Sequence, residues 1–443
     1  MTILISSGGT VRTLLTGSLL ATVLILVELT APGGAATALA ASGAASGAPV
    51  QAPAPGYADL RQRIMAAPPG VADSLDSLAS FLAGLTTDPR GRVYAIFFWL
   101  AQNIAYDTQG LFSGDFGDLT PASVLQRREA VCAGYSRLFH ALAGLMGLNS
   151  VEISGLAKGY SYASSGTLGP HAWNAVELDG RWQLIDATWG AGHVDHQRQF
   201  QRKLDEFYFL TPPAQFIYSH FPHDRAWQLV AAPLSLTEFE HLPDLEPAFF
   251  GRGLALLGDP VVSGGRWSLE LATSQDVVGS VNIESSGRRL PDRFASVTRQ
   301  GDRLRVSAVF PRPGRYAVQF YVGPAGDART LDRAGDFVVE AVVGEGERAG
   351  FPQGSIVLQA HGGALNLPAT YYLSAGQAQP FDLRLPDATD VALVDAAEQW
   401  HHLTKSGDRF QGTVTVVAGE LRLFAAFNSP AVDFEEIATY QVE

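Results

Sequence analysis

A single cysteine, Cys132, has to serve a chain of 443 residues. No internal disulfide is available, so each domain must hold together by its own apolar core. With 47% hydrophobic and 17% charged residues, the chain has the material for such cores. Its length suits two or three domains. The formal net charge of −13 argues against a nucleic-acid partner and against docking on anionic lipid.

The amino-terminal segment reads as an export signal. Arg12 precedes an apolar run from Leu14 to Val27, Glu28 interrupts it, and Ala38-Leu39-Ala40 offers a small-residue cleavage site. The run is shorter than the ~20 residues that span a bilayer. Residues 1–40 are therefore assigned to a signal peptide, and the mature protein is expected to be secreted or periplasmic with no membrane attachment. Residues 41–56, rich in Ala, Gly, Ser and Pro, read as a disordered linker.

Periodicity divides the remainder. Helical spacing is expected over Ala58–Ala66, Ser74–Leu85 and Arg90–Asn103, the last carrying Val93, Ile96, Phe97 and Leu100 on one face. After Gly253 the pattern alternates: Leu304, Val306, Ala308 and Phe310, then Tyr316, Val318, Phe320 and Val322, and later Leu421, Leu423, Ala425 and Phe427. The expected fold class is α+β. A mixed domain over 57–252 would precede two β-sandwich modules, 253–346 and 351–443, each of roughly immunoglobulin size. The stretch Gly344–Gly350 between them reads as a linker.

The chemistry concentrates in the mixed domain. Tyr135, Leu138, Phe139, Leu142 and Leu145 describe one apolar face of a helix ending near Gly147. Cys132 falls in its first turn, where free N–H groups and the positive end of the helix dipole favour a thiolate. From this helix alone, a nucleophile and a buried structural cysteine are equally good readings.

The next element separates them. His171–Leu178 and Arg181–Asp186 read as strands around Asp179-Gly180, a two-residue hairpin turn. That turn pairs Leu178 with Arg181, which sets Asp186 opposite Trp173 and His171 opposite Thr188. His171 and Asp186 then share a face as diagonal neighbours, ~7–8 Å apart at the backbone, within reach of an imidazole–carboxylate bond. Cys132, His171 and Asp186 are the candidate catalytic residues: nucleophile, acid–base and orienting carboxylate.

Three blocks carry a resemblance: Arg128-Glu129-Ala130-Val131-Cys132-Ala133-Gly134-Tyr135, His171-Ala172-Trp173-Asn174-Ala175-Val176 and Asp186-Ala187-Thr188-Trp189-Gly190. In this order they resemble the signature blocks of the transglutaminase-like superfamily and, within it, the kyphoscoliosis peptidase group. Tyr94–Trp99, Asn103–Asp107, Phe207–Leu210, Phe216–His220 and Trp227–Leu229 extend the likeness over residues 74–250. It implies a papain-like α+β core in which a cysteine helix packs on an antiparallel sheet bearing the histidine and aspartate. It also implies acyl transfer through a Cys132 thioester on protein or peptide amides, with cell-wall peptides one fitting substrate for an exported enzyme. The other class is a catalytically silent transglutaminase-like scaffold acting through its β modules.

Other motifs weigh less. His193-x-x-His196 and His220-x-x-His223 have neither helical i, i+4 spacing nor a cysteine partner, so no metal is assigned. The likeness places His220 in a structural segment. His401-His402 reads as surface. Gly33-Gly34 and Gly362-Gly363 lack the context of a phosphate loop, and no cofactor is expected. Gln102 is a candidate oxyanion donor, and Ser154–Gly169 a candidate loop over the cleft.

Overall fold

The computed structural model describes residues 57–160, 162, 166–326, 330–427 and 433–443. The export signal and the linker over 1–56 lie outside the described residues. Among the described residues, no helix is long and apolar enough to cross a membrane.

The mixed domain is built around one buried helix. Asp88 caps it by accepting the Gly91 N–H at 2.8 Å, and Pro89 opens its first turn, the position where a missing N–H costs nothing. Along this helix, Pro89–Asn103, every residue from Val93 to Ala101 is buried. Helices Tyr57–Met65 and Leu75–Gly84 pack around it, the second capped by Ser74.

The helix Cys132–Leu145 lies beside this core with Tyr135, Leu138, Phe139 and Leu142 buried. Leu145, expected on the apolar face, is instead exposed at the last position of the helix. Gly134 in its first turn is obligatory, because a Cβ there would come within 2.5 Å of the Ala130 side chain. The helix is held to the sheet by polar bonds as well as apolar contact. Ser136 Oγ donates to Trp173 O at 2.9 Å, and Asn174 Nδ2 donates to Ser136 O at 3.0 Å and to Val151 O at 3.2 Å. These bonds tie the turn after Cys132 to the strand residues just after His171.

The sheet is antiparallel, in the order Arg181–Ile185, Gly169–Leu178, Ser150–Ala157, His220–Pro222. Leu178 pairs with Arg181 as the two-residue turn requires. Asp179 and Gly180 both take positive φ, 52° and 69°, the mark of a type I′ turn. The ladder stops at Asn174–Ile185. The anticipated pairing of His171 with Thr188 does not form, because Asp186 leaves the strand to cap the short helix Ala187–Ala191. Its side chain nevertheless stays on the expected face. Gly155 lies between His171 and Pro222 across the ladder, where a Cβ would meet Phe221 O at 2.2 Å and the Trp173 ring at 2.6 Å.

Two β-sandwiches follow, each with its own core. The first pairs a sheet containing Arg266–Thr273 and Arg303–Val309 with one containing Val277–Ser285, Gly314–Pro324 and Asp332–Ala341. Leu304, Val306, Ala308 and Phe310 face Val318, Phe320 and Val322 inside it. The second encloses Leu383, Phe410, Leu421, Leu423, Ala425 and Tyr440. The stretch read as a linker is pinned to the first sandwich: Glu345 N donates to Phe310 O at 2.9 Å and Gly346 N to Pro311 O at 3.1 Å.

The first sandwich also takes in chain from before Gly253. Strand Asp244–Leu245 joins Asp332–Ala341 at its edge, and Leu245 and Phe249 enter the sandwich core. The periodicity missed this because a two-residue strand carries no alternation. Lys158, just beyond the central strand of the mixed domain, is buried at this seam and donates to Leu242 O at 2.7 Å and Pro243 O at 3.1 Å. Burial pulls its ammonium down to about 8 against the opposing pull of Asp244.

Glu246 at the same seam is pushed up to about 7, by burial first and then by Asp244, with Arg333 opposing. A carboxyl raised in the folded state loses stability as pH climbs from its ordinary range through 7. It caps no N–H of the helix Pro247–Gly251. Glu246→Gln is therefore expected to stabilise the protein by about 1 kcal/mol at pH 8, after discounting for partial exposure, and by almost nothing near pH 4.5. Thermal unfolding at the two pH values checks this, and equal shifts at both would refute it.

Candidate active site

Cys132, His171 and Asp186 come from the cysteine helix, the second strand of the sheet and the cap of the short helix after the hairpin. Asp186 is fully buried and saturated with donors. Its Oδ1 accepts the Thr188 N–H at 2.8 Å and the Trp189 N–H at 3.1 Å. Its Oδ2 meets His171 Nε2 at 2.7 Å. Burial works against the charged carboxylate, but His171 and His220 outweigh it and hold the group well below the usual carboxylate range.

His171 is 8% exposed, with Trp173 and Trp189 ring centroids 6.0 Å and 5.3 Å away. Since Nε2 is spent on Asp186, Nδ1 is the nitrogen left for the hydrogen bond to Cys132. Burial disfavours the imidazolium, yet Asp186 and the Cys132 thiolate push it up to about 10.

The Cys132 thiol is partly buried at the first position of its helix, whose cap, Val131, has no side-chain donor or acceptor. Burial raises it, but the His171 charge and hydrogen bond and the Ala172 N–H together bring it below its ordinary value, while Asp186 opposes them. Both shifts run toward a thiolate–imidazolium pair backed by a carboxylate.

Two neighbours were not singled out as site residues. Tyr106 follows the helix Pro89–Asn103 on a strand paired with Glu129–Ala130, one residue short of Cys132. Its phenol is held up by burial and then by the Cys132 charge. Gln102, the candidate oxyanion donor, is half-buried in the last turn of that same helix. His220, read as structural, places Nε2 at 3.1 Å from Asp186 Oδ2 and is fully buried. Its strand is only three residues long, so no period marks its inward face.

His223 is exposed, so the His220-x-x-His223 motif is split between core and surface. His193 and His196 are exposed, and Asp195 between them is occupied with its own turn, accepting from Gln197, Gln199 and Gln201. His401 and His402 pair with Asp395 at 3.0 Å and Asp390 at 2.8 Å. A three-ligand cluster does exist elsewhere: His171, Asp186 and His220 offer donor atoms within 4.8 Å of one another. Both imidazoles there already spend their nearest nitrogen on the carboxylate, so a metal would have to replace hydrogen bonds that now satisfy the site.

Of the loop expected over 154–169, the first residues belong to the central strand, and the connection begins at Lys158. Residues 161 and 163–165 lie outside the described residues. Tyr160 is 46% exposed and packs edge-on against the exposed Phe112 at 5.6 Å, with Arg198 over the Phe112 ring. Gly159 lies where a Cβ would reach Trp189 at 3.9 Å, so this aromatic rim adjoins the tryptophan beside His171.

Residues 76–187, which carry all three candidate residues, match the transglutaminase-like superfamily. That part of the chain is a transglutaminase-like domain. Beyond this transglutaminase-like domain, residues 236–345 match the KY-like, immunoglobulin-like domain. It is 37% identical over 188 residues to mouse kyphoscoliosis peptidase and 38% identical over 184 residues to the human protein. It is also 33% identical over 167 residues to the Lim and transglutaminase domain protein ltd-1 of Caenorhabditis elegans. These alignments cover 42%, 41% and 34% of this chain, and only 28%, 28% and 23% of the respective relatives. The start of the second match at 236 agrees with the early entry of residues 244–249 into the first sandwich.

Proposed function

We propose that the chain is a thiol enzyme that transfers acyl groups from protein or peptide amides through a thioester on Cys132. The observation that carries this reading is the pairing of a partly buried, acidified thiol with an imidazole anchored on a buried carboxylate. Cys132 Sγ attacks the carbonyl carbon, and the oxyanion forms beside the free N–H groups of the cysteine helix. His171 Nδ1–H protonates the departing amine as the C–N bond breaks, leaving the thioester. Water or a second amine, deprotonated by the now neutral His171, attacks the thioester, and the thiolate and imidazolium are restored. Asp186 keeps the ring aimed throughout.

The name of the mouse and human relatives, peptidase, supports hydrolysis as the second half-reaction. The apolar run at 14–27 and the small-residue site at 38–40 support export, which makes extracytoplasmic peptides, those of the cell wall included, the substrate class to try first.

One comparison tests the reading. Purified protein is incubated with glutamine-containing protein and with peptide pools, with and without a fluorescent primary amine. Peptide release, or ammonia release in the absence of added amine, that depends on Cys132 supports a hydrolase, and amine incorporation supports a transamidase. Neither product, with Cys132 still accessible to an electrophilic probe, would leave the silent scaffold as the better reading.

A further inference from the structure

We propose that His220 is a positioning residue of this site, a second imidazole that donates its Nε2–H to Asp186 Oδ2 and so fixes the tautomer and the aim of His171 toward Cys132. The inference rests on the acyl-transfer reading for its purpose, but its geometry stands alone.

A carboxylate only accepts hydrogen bonds. The contact of His220 Nε2 with Asp186 Oδ2 at 3.1 Å therefore requires a proton on that nitrogen. The other nitrogen, Nδ1, lies 2.8 Å from Ser219 Oγ, whose hydroxyl can donate to it in place of its longer 3.4 Å contact with Phe216 O. His220 with only Nε2 protonated satisfies both contacts. The charge of the surroundings points the same way. The groups facing His220 are Asp186, the imidazole of His171 at 5.3 Å, and Tyr208 at 6.2 Å, with the Ser219 hydroxyl and the Phe216 backbone carbonyl. Its remaining neighbours are the rings of Phe216 at 3.9 Å, Trp189 at 4.4 Å and Trp173 at 5.2 Å. A fully buried imidazole in this shell, beside one imidazolium already, does not take a second charge, and His220 is held down to about 4, by burial first.

The consequence lies at Asp186. Its two oxygens receive four donors, two backbone N–H groups on Oδ1 and two imidazoles on Oδ2. The carboxylate cannot rotate without breaking several of them at once. His171 is thereby given one acceptor in one direction, and its Nδ1 is left for the sulfur. The third strand partner makes this possible: Ala157 pairs with both Gly169 and His220, which brings the second imidazole diagonally across from His171 on the same face. Without the His220 donor, the carboxylate's charge would be less quenched. It would press harder against the thiolate and take up a proton more readily, so the active ion pair would form only at higher pH.

The test is the pH profile of iodoacetamide alkylation at Cys132 in the full chain, for wild type, His220→Phe, His220→Gln and Ser219→Ala. Phenylalanine keeps the stack on Phe216 and removes the donor, while glutamine retains an N–H donor. In His220→Phe the acid limb is expected to move up by about one pH unit, the equivalent of one lost hydrogen bond to a charged group. His220→Gln should return it most of the way, and Ser219→Ala should move it in the same direction by less. Ring 15N shifts of the wild type should show His220 with a bare Nδ1 and a protonated Nε2 at neutral pH. If His220→Phe fails to fold, the other two variants and the 15N shifts carry the test. Superimposed profiles in all folded variants, beside a wild-type thiol that is clearly activated, would overturn the role of His220 and leave the acyl-transfer reading intact. A wild-type thiol no faster than the denatured chain would instead sink the acyl-transfer reading.

Discussion

Cys132→Ala and His171→Ala are each expected to lower acyl-transfer turnover by at least about 10³-fold while leaving the fold in place, because a covalent route fails when either the nucleophile or its proton shuttle is missing. The fold should survive for separate reasons. Cys132 is a small side chain, only partly buried, at a helix start. His171 is bonded by its side chain to Asp186 alone among the fixed framework groups, and Asp186 keeps its two backbone donors and His220 without it. The two losses should not add in the double variant, since both remove the same step. Turnover of the amide pool that identifies a substrate, read together with thermal unfolding of each variant, checks this. A Cys132→Ala protein that still turns over would end the thioester mechanism.

The second large effect is on thiol reactivity. At neutral pH an ordinary cysteine is only a few per cent thiolate. The lowered thiol in the native chain should therefore alkylate on the order of ten times faster than in the denatured chain, allowing for the weaker nucleophilicity of a more acidic thiol. His171 is raised to about 10, so the imidazolium should persist through neutrality and be lost only as pH rises through that value. Acyl transfer should fall off there, since the leaving amine loses its proton donor. The stability contributions follow the same signs. His171, with a raised folded value, contributes fully below its ordinary range near 6.5, and the contribution is lost as pH rises through about 10. His220, depressed to about 4, contributes above its ordinary range, and that is lost as pH falls toward 4. Asp186→Asn should abolish the thiol's advantage, because an amide facing His171 Nε2 no longer stabilises the imidazolium. Alkylation rates across pH in the native, denatured and Asp186→Asn chains decide it; an undiminished rate in the variant would remove the carboxylate from the argument.

Much of this site is legible in local sequence. The apolar repeat from Tyr135 to Leu142 sets the helix and hence the position of Cys132 at its start, since a 3.6-residue period admits one buried face. Asp179-Gly180 sets the hairpin, because few residue pairs accept two positive φ values in succession, and the hairpin puts His171 and Asp186 on one face. One local detail escaped: Asp186 serves as a helix cap rather than a strand residue, which an aspartate followed by Ala187-Thr188-Trp189 permits but does not require.

The tertiary structure alone decided the rest. His220 reaches Asp186 because its short strand pairs with Ser150–Ala157, a partner distant in the chain. The seam at Lys158 and Glu246 exists because a two-residue strand finds an open sheet edge. Periodicity and turn chemistry act between residues a few positions apart, where backbone geometry leaves few alternatives. Pairing between remote segments is selected by the packing of whole surfaces, and no spacing within either segment specifies it.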